Sequence, residues 1–226
     1  MLNNISNHRC VGDISKRFAA GFQRFQQQWF CSEHNIYDDL REGQQPLALV
    51  IACSDSRVDP VLLTDSNPGD LFVIRNVANL VPPYHPDKKV HGVSAAVEYG
   101  VRHLKLKDII VMGHANCGGV HALLDVPDDN DEFIGIWMQI IRRAKEVVDN
   151  YFPNISREER LREYEQWGIR VSLENLMTFP WIREAVENCE MRLHGWYFDL
   201  NNGTLYRYDY NLDTFVPMVG SCEDNN

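Results

Sequence analysis

No apolar run in this sequence approaches the ~20 residues needed to cross a bilayer. The first thirty residues carry charges and glutamines where a secretory leader would have an apolar core, so no signal peptide is expected. Positive charge is scarce: 22 Lys and Arg stand against 32 Asp and Glu, a net of −10. That argues against a nucleic-acid partner and against an anionic membrane surface. An anionic substrate stays open, because its binding depends on the local field. Six cysteines (Cys10, Cys31, Cys53, Cys117, Cys189 and Cys222) show no regular disulfide spacing. Reduced thiols and a cytoplasmic setting are the expectation, and a mature organellar form would read the same. Without a leader, the N-x-S/T matches at Asn4, Asn154 and Asn202 are read as chance. Internal repeats, low-complexity tracts and linkers are also lacking. With 44% hydrophobic and 24% charged residues, the 226 residues read as one domain, 1–226, whose core needs no disulfide staples.

Two short runs carry the chemistry. Ala52-Cys53-Ser54-Asp55-Ser56-Arg57 follows the apolar stretch Leu47 to Ala52, and Gly113-His114-Ala115-Asn116-Cys117-Gly118-Gly119 follows Asp108 to Met112. Both stretches read as buried strands of a parallel sheet. His114 and Cys117 are close enough for one tight turn to aim both at one ion. Cys53, 61 positions before His114, must come from another strand. Adjacent parallel strands bring both following loops to one carboxyl edge, where open α/β sheets bind ligands. Two thiolates and an imidazole make a zinc set, and three protein ligands leave a fourth position for water or substrate. Asp55 could fill that fourth position and close the site; alternatively it pairs with Arg57. Cobalt or iron could occupy the same ligands.

The rest of the chain frames these runs. Phe18, Phe22, Phe25 and Trp29 form an aromatic stripe on an N-terminal helix, packed either on its own core or on another subunit. A second strand is expected near Leu71 to Arg75, and Pro82, Pro83 and Pro86 forbid regular helix after it. Val93, Ala96, Val97, Val101 and Leu104 predict a helix leading into the strand at Asp108, a βαβ crossover. Gly118 and Gly119 open a further helix. Asp125 to Glu132 reads as an acidic surface loop, and Ile134 to Val148 as an amphipathic helix. Ser156 and Glu159 make a capping box. Pro180 interrupts the helical pattern that follows. Met191 to Asp199 is a late strand, turned at Asn202-Gly203 into an antiparallel edge strand.

The segments 52–58, Arg75 to Tyr84 and 113–120 resemble the signatures of the β-class carbonic anhydrases, and the similarity runs from about Gln44 to Leu124. The resemblance implies an α/β fold, a mostly parallel sheet flanked by helices, with an antiparallel edge strand and an N-terminal helical arm (1–42) at a subunit interface. It implies a homodimer or a higher even homo-oligomer with active sites at the interface. It also implies a lyase that interconverts carbon dioxide and bicarbonate by attack of zinc-held hydroxide. By position Cys53, His114 and Cys117 match the Zn2+ ligands, and Asp55 and Arg57 match the family's Asp–Arg dyad. Gln44, Phe72, Val77, Tyr99 and Gly118 match substrate-pocket positions of the plant-like type, in which Asp55 pairs with Arg57 and leaves zinc open. The bicarbonate-regulated bacterial type typically carries a Trp where Val50 sits. Carbon disulfide or carbonyl sulfide hydrolases share the scaffold, and a zinc- or redox-sensing module using Cys53 and Cys117 is a rival of another class. Of the histidines that could carry the product proton (His85, His91, His103 and His121), the sequence selects none.

Overall fold

The computed structural model describes residues 14–31, 35–125 and 132–220. The chain divides into two compact units, Met1–Gln44 and Gln45–Asn226. Cys10, Cys222 and most of the acidic stretch after Asp125 lie outside the described residues. In the first unit, α1 (Ile14–Trp29) and α2 (Tyr37–Leu40) carry an aromatic cluster in which Phe25 meets Phe22 and Tyr37, while Phe30 stacks on Tyr37 at 4.3 Å. No residue of α1 is buried.

The second unit is built on six strands: β1 (Ala48–Cys53), β2 (Leu71–Asn76), β3 (Asp108–His114), β4 (Arg192–Asp199), β5 (Thr204–Asp209) and β6 (Thr214–Val219). Their order is β2-β1-β3-β4-β5-β6. The first four are mutually parallel; β5 and β6 add antiparallel at one edge. One antiparallel edge strand was expected and there are two, because the turn at Asp209 to Asp213 returns the chain once more. The helices of this unit are α3 (Pro60–Leu63), α4 (Gly92–Glu98), α5 (Gly118–Asp125), α6 (Ile134–Met138), α7 (Arg142–Tyr151), α8 (Arg157–Leu176) and α9 (Pro180–Glu187). The expected helix from Ile134 to Val148 is broken into α6, a short 3-10 turn and α7. Among the described residues, no helix is long and apolar enough to cross a membrane.

Continuous apolar runs form β1 and β3 because the sheet is covered on both faces. Leu49, Ile51, Ile109 and Val111 pack on one side with Ile169, Leu173 and Leu176 of α8 and Ile182 of α9. Val50, Ala52, Ile110 and Met112 point the other way, toward Leu63, Leu71 and Trp196. Helix α8 starts at the expected capping box, where Ser156 and Glu159 exchange side-chain-to-backbone hydrogen bonds. It lies unusually close to the sheet. A Cβ on Gly113 would stand 2.7 Å from Ile169 Cδ1, and one on Gly195 about 3.0 Å from Ile169 and Leu173. Pro180 breaks the helical pattern as expected: α8 ends at Leu176, and Pro180 begins α9 at its first turn.

Candidate metal centre

β1 ends at Cys53 and β3 at His114, side by side in parallel register. The chain leaves β1 for β2 on one side and returns to β3 on the other, so the two strand ends flank a topological switch point. The turn after β3 places Asn116 in the left-handed region, φ 57°, which Asn tolerates better than most residues. That turn swings Cys117 back beside His114. The ligand atoms of Cys53, His114 and Cys117 all lie within 4.8 Å of one another, and all three residues are buried.

The donors suit a tetrahedral ion. Zinc–sulfur bonds of about 2.3 Å at tetrahedral angles put two sulfurs about 3.8 Å apart, and Cys53 Sγ and Cys117 Sγ are 3.9 Å apart. His114 Nδ1 faces its neighbour's carbonyl, Ala115 O, at 2.9 Å. A carbonyl can only accept, so Nδ1 carries the proton and Nε2 offers a bare lone pair. That Nε2 is buried with no hydrogen-bond partner among the described residues, a costly state unless something coordinates it. Each sulfur also sits among backbone amides: those of Asp55 and Ala78 face Cys53, and those of Gly119 and Val120 face Cys117. Ala78 adopts φ 62°, a strained setting for a residue with a Cβ. The contact with Cys117 holds the Cys53 thiol well below the usual thiol range, while the same contact and burial push the Cys117 thiol up.

Asp55 and Arg57 stand at the mouth. Arg57 donates to Asp55 through Nε (2.9 Å), Nη2 (2.7 Å) and its own backbone N–H (2.9 Å). These bonds hold the Asp55 carboxyl well below the usual carboxylate range. Arg57 Nη2 also reaches Asn116 O at 2.9 Å, tying the β1 loop to the β3 loop. Asp55 Oδ2 lies 4.0 Å from His114 Nε2, so the carboxylate faces the donor set.

The pocket positions separate. Val77 is at the centre: a Cβ on Gly119 would come within 2.6 Å of its Cγ1, and Trp137 Nε1 donates to its carbonyl at 2.8 Å. Gly118 borders the centre with open space around it. Phe72 pairs in register with Leu49, four residues before Cys53, which at about 3.3 Å per residue is about 13 Å along the sheet. Tyr99 packs on Phe72 at 5.9 Å between ring centres. One chain therefore does not bring Phe72 and Tyr99 to its own cysteines. Gln44 belongs to the first unit.

Two residues have roles that the sequence reading did not assign. Arg75 bonds to the carbonyls of Cys53 (3.0 Å), Asp55 (2.7 Å) and Val58 (3.3 Å) and to the Asp59 carboxylate (2.9 Å), clamping the loop after β1. Glu165 of α8 is 5% exposed and accepts from Cys117 N–H at 2.9 Å and Tyr197 O–H at 2.8 Å. Burial pushes its carboxyl up to about 7. Its sequence signal is a charge on the buried stripe Leu161, Gly168, Ile169 and Ser172.

Residues 48–205 match the family described as carbonic anhydrase. A carbonic anhydrase of Synechocystis is 34% identical over 203 residues, covering 89% of this chain and 73% of that protein. The solved β-carbonic anhydrase CcaA superposes with a TM-score of 0.85 at 34% identity, over 91% of this chain and all of that one. One of two tetrameric β-carbonic anhydrases from Sordaria macrospora gives 0.70 at 30% identity, over 85% and 92%. With the parallel sheet, the Cys–His–Cys set at its carboxyl edge and these relatives in agreement, the chain belongs to the β class of the carbonic anhydrase family.

Proposed function

We propose that this protein hydrates carbon dioxide reversibly to bicarbonate and a proton, with zinc held by Cys53, His114 and Cys117. The observation that carries this is the bare, buried His114 Nε2 converging with two sulfurs 3.9 Å apart, faced by an arginine-locked carboxylate. When bound, zinc supplies Lewis-acid charge that makes water a usable nucleophile near neutral pH; carbonic anhydrase is a standard example of this effect.

The residues of the chain set the geometry. Asp55, kept ionised by Arg57, can only accept, so it orients the attacking oxygen by taking a hydrogen bond from it. Arg57 holds Asp55 through a planar fork. Val77 gives apolar carbon dioxide a wall beside the donors. Asp55 pairs with Arg57 at 2.7 Å, which supports the open arrangement over one in which Asp55 closes the site. Phe72, level with Leu49 and so about 13 Å along the sheet from Cys53, and Tyr99, packed on Phe72, are proposed to serve a partner's site in a homodimer or higher even assembly. In this reading 1–226 works as one domain, its arm lies at the subunit interface, and Gln44 is an amide donor to bicarbonate. A cytoplasmic setting, or a mature organellar form, belongs to the same reading.

Stopped-flow carbon dioxide hydration on metal-quantified protein, beside Asp55→Ala, tests this. Fast hydration with one zinc per chain, lost in the variant, is expected. Zinc without hydration would overturn the reading and turn attention to carbon disulfide or carbonyl sulfide.

A further inference from the structure

We propose that Glu165 is a positioning residue for Cys117: its carboxyl, brought in from α8, completes the cap of α5 and thereby fixes the direction of the Cys117 sulfur. The inference rests on the reading of Cys117 as a metal ligand.

Cys117 is the N-cap of α5. The first bond of that helix runs from His121 N–H to Cys117 O at 2.9 Å. The next amides, Gly119 and Val120, lie near the Cys117 sulfur. In a capping box the side chain three residues on returns to the N-cap's own N–H. Here that residue is Val120, which has nothing to accept with. The N–H of Cys117 goes instead to Glu165 Oε1 at 2.9 Å, from a residue 48 positions later. Tyr197, 1% exposed, donates to the other oxygen at 2.8 Å and fixes the carboxyl in place.

The peptide unit joining Asn116 and Cys117 is thus gripped at both ends. Its carbonyl accepts from Arg57 Nη2 at 2.9 Å, and its N–H donates to Glu165. With both held, the plane of that peptide cannot turn, and the sulfur stays 3.9 Å from its partner. An acidic side chain on a buried helix stripe costs desolvation, and these two bonds are what offset it.

The test compares Glu165→Leu, Glu165→Gln and the remote core variant Ile182→Ala. Zinc affinity is measured by chelator competition, and the geometry by the absorption bands of the cobalt-substituted protein. Glu165→Leu should weaken zinc by ~10–100-fold, the usual loss for a partner that orients a ligand, and shift the thiolate-to-cobalt bands. Glu165→Gln should restore both, since its amide oxygen accepts the same N–H while its NH2 donates to Tyr197 Oη. Ile182→Ala should lower the melting temperature and leave both readouts alone. Wild-type affinity and spectrum in Glu165→Leu would overturn the inference, as would an equal loss in Ile182→Ala. Should Glu165→Leu not fold, Glu165→Asp carries the test: its shortened carboxyl retreats from the N–H, so an unchanged site refutes the role and a weakened one supports it. A wild-type protein that binds no zinc or cobalt overturns the metal reading itself, and the inference with it.

Discussion

Replacing Arg57 with Lys keeps the positive charge and removes the fork. The guanidinium makes three charge-assisted bonds: two to Asp55 (2.9 and 2.7 Å) and one to Asn116 O (2.9 Å). One ammonium group cannot reproduce that planar set. Arg57 is 51% exposed, so solvent screening limits the cost to stability to about 1 kcal/mol or less. Activity should suffer more, because both the orientation of Asp55 and the Asn116–Cys117 peptide depend on the fork. A loss of ~10–100-fold in kcat/KM is expected, which is about 1.4–2.7 kcal/mol of transition-state stabilisation.

The sign of the pH effect follows from Asp55, whose folded pKa is depressed by Arg57. That stabilisation is present above the ordinary pKa of about 3.9 and is lost as pH falls through the depressed folded value. Losing the fork lets the carboxyl climb back toward 3.9, still ionised at pH 7 and above. The loss should therefore be the same at pH 7 and pH 8.5. Stopped-flow hydration at both pH values, with zinc content measured in parallel, decides. A variant within twofold of wild type at full zinc occupancy would refute the reasoning.

Other outcomes follow from the same geometry. Zinc binding at pH 7 should release protons as the two thiols become thiolate ligands, so affinity should rise with pH; calorimetry in buffers of different ionisation enthalpy that finds no proton release would contradict this. Gly119→Ala should cost about 1–3 kcal/mol, because its Cβ would meet Val77 Cγ1 at 2.6 Å, whereas Gly118→Ala meets nothing within 4 Å and should melt within a degree or two of wild type. Ser156→Ala should cost about 0.5–2 kcal/mol through loss of the α8 cap, seen as a lower denaturant midpoint with zinc content unchanged. Two thiolates leave more negative charge at zinc than three imidazoles would, so hydration should rise from pH 7 to pH 8.5; a flat profile would count against that.

Much of this molecule is local in its causes, and local causes are written in the sequence. The apolar runs before Cys53 and His114 gave their own strands, Ser156 with Glu159 marked where α8 begins, and Asn202-Gly203 marked the turn into β5. The donor types and the His-x-x-Cys spacing named the metal set before any coordinates. β6 lacked such a signal: Pro217 and exposed Met218 and Val219 do not alternate as a strand face, and pairing with β5 is what orders it.

What the sequence alone determined was which residues could do chemistry and which strand ends would carry them. Tertiary structure decided how those residues are held and which of them meet. The bond from Glu165 to Cys117 spans 48 positions and that from Arg57 to Asn116 spans 59, and no periodicity encodes such contacts; the first exists because α8 packs against β3 through Gly113, the second because β1 pairs with β3. Tertiary structure also set Phe72 level with Leu49, about 13 Å along the sheet from Cys53, with Tyr99 packed against it. Position in a strand is local information, but distance to a site is a property of the sheet.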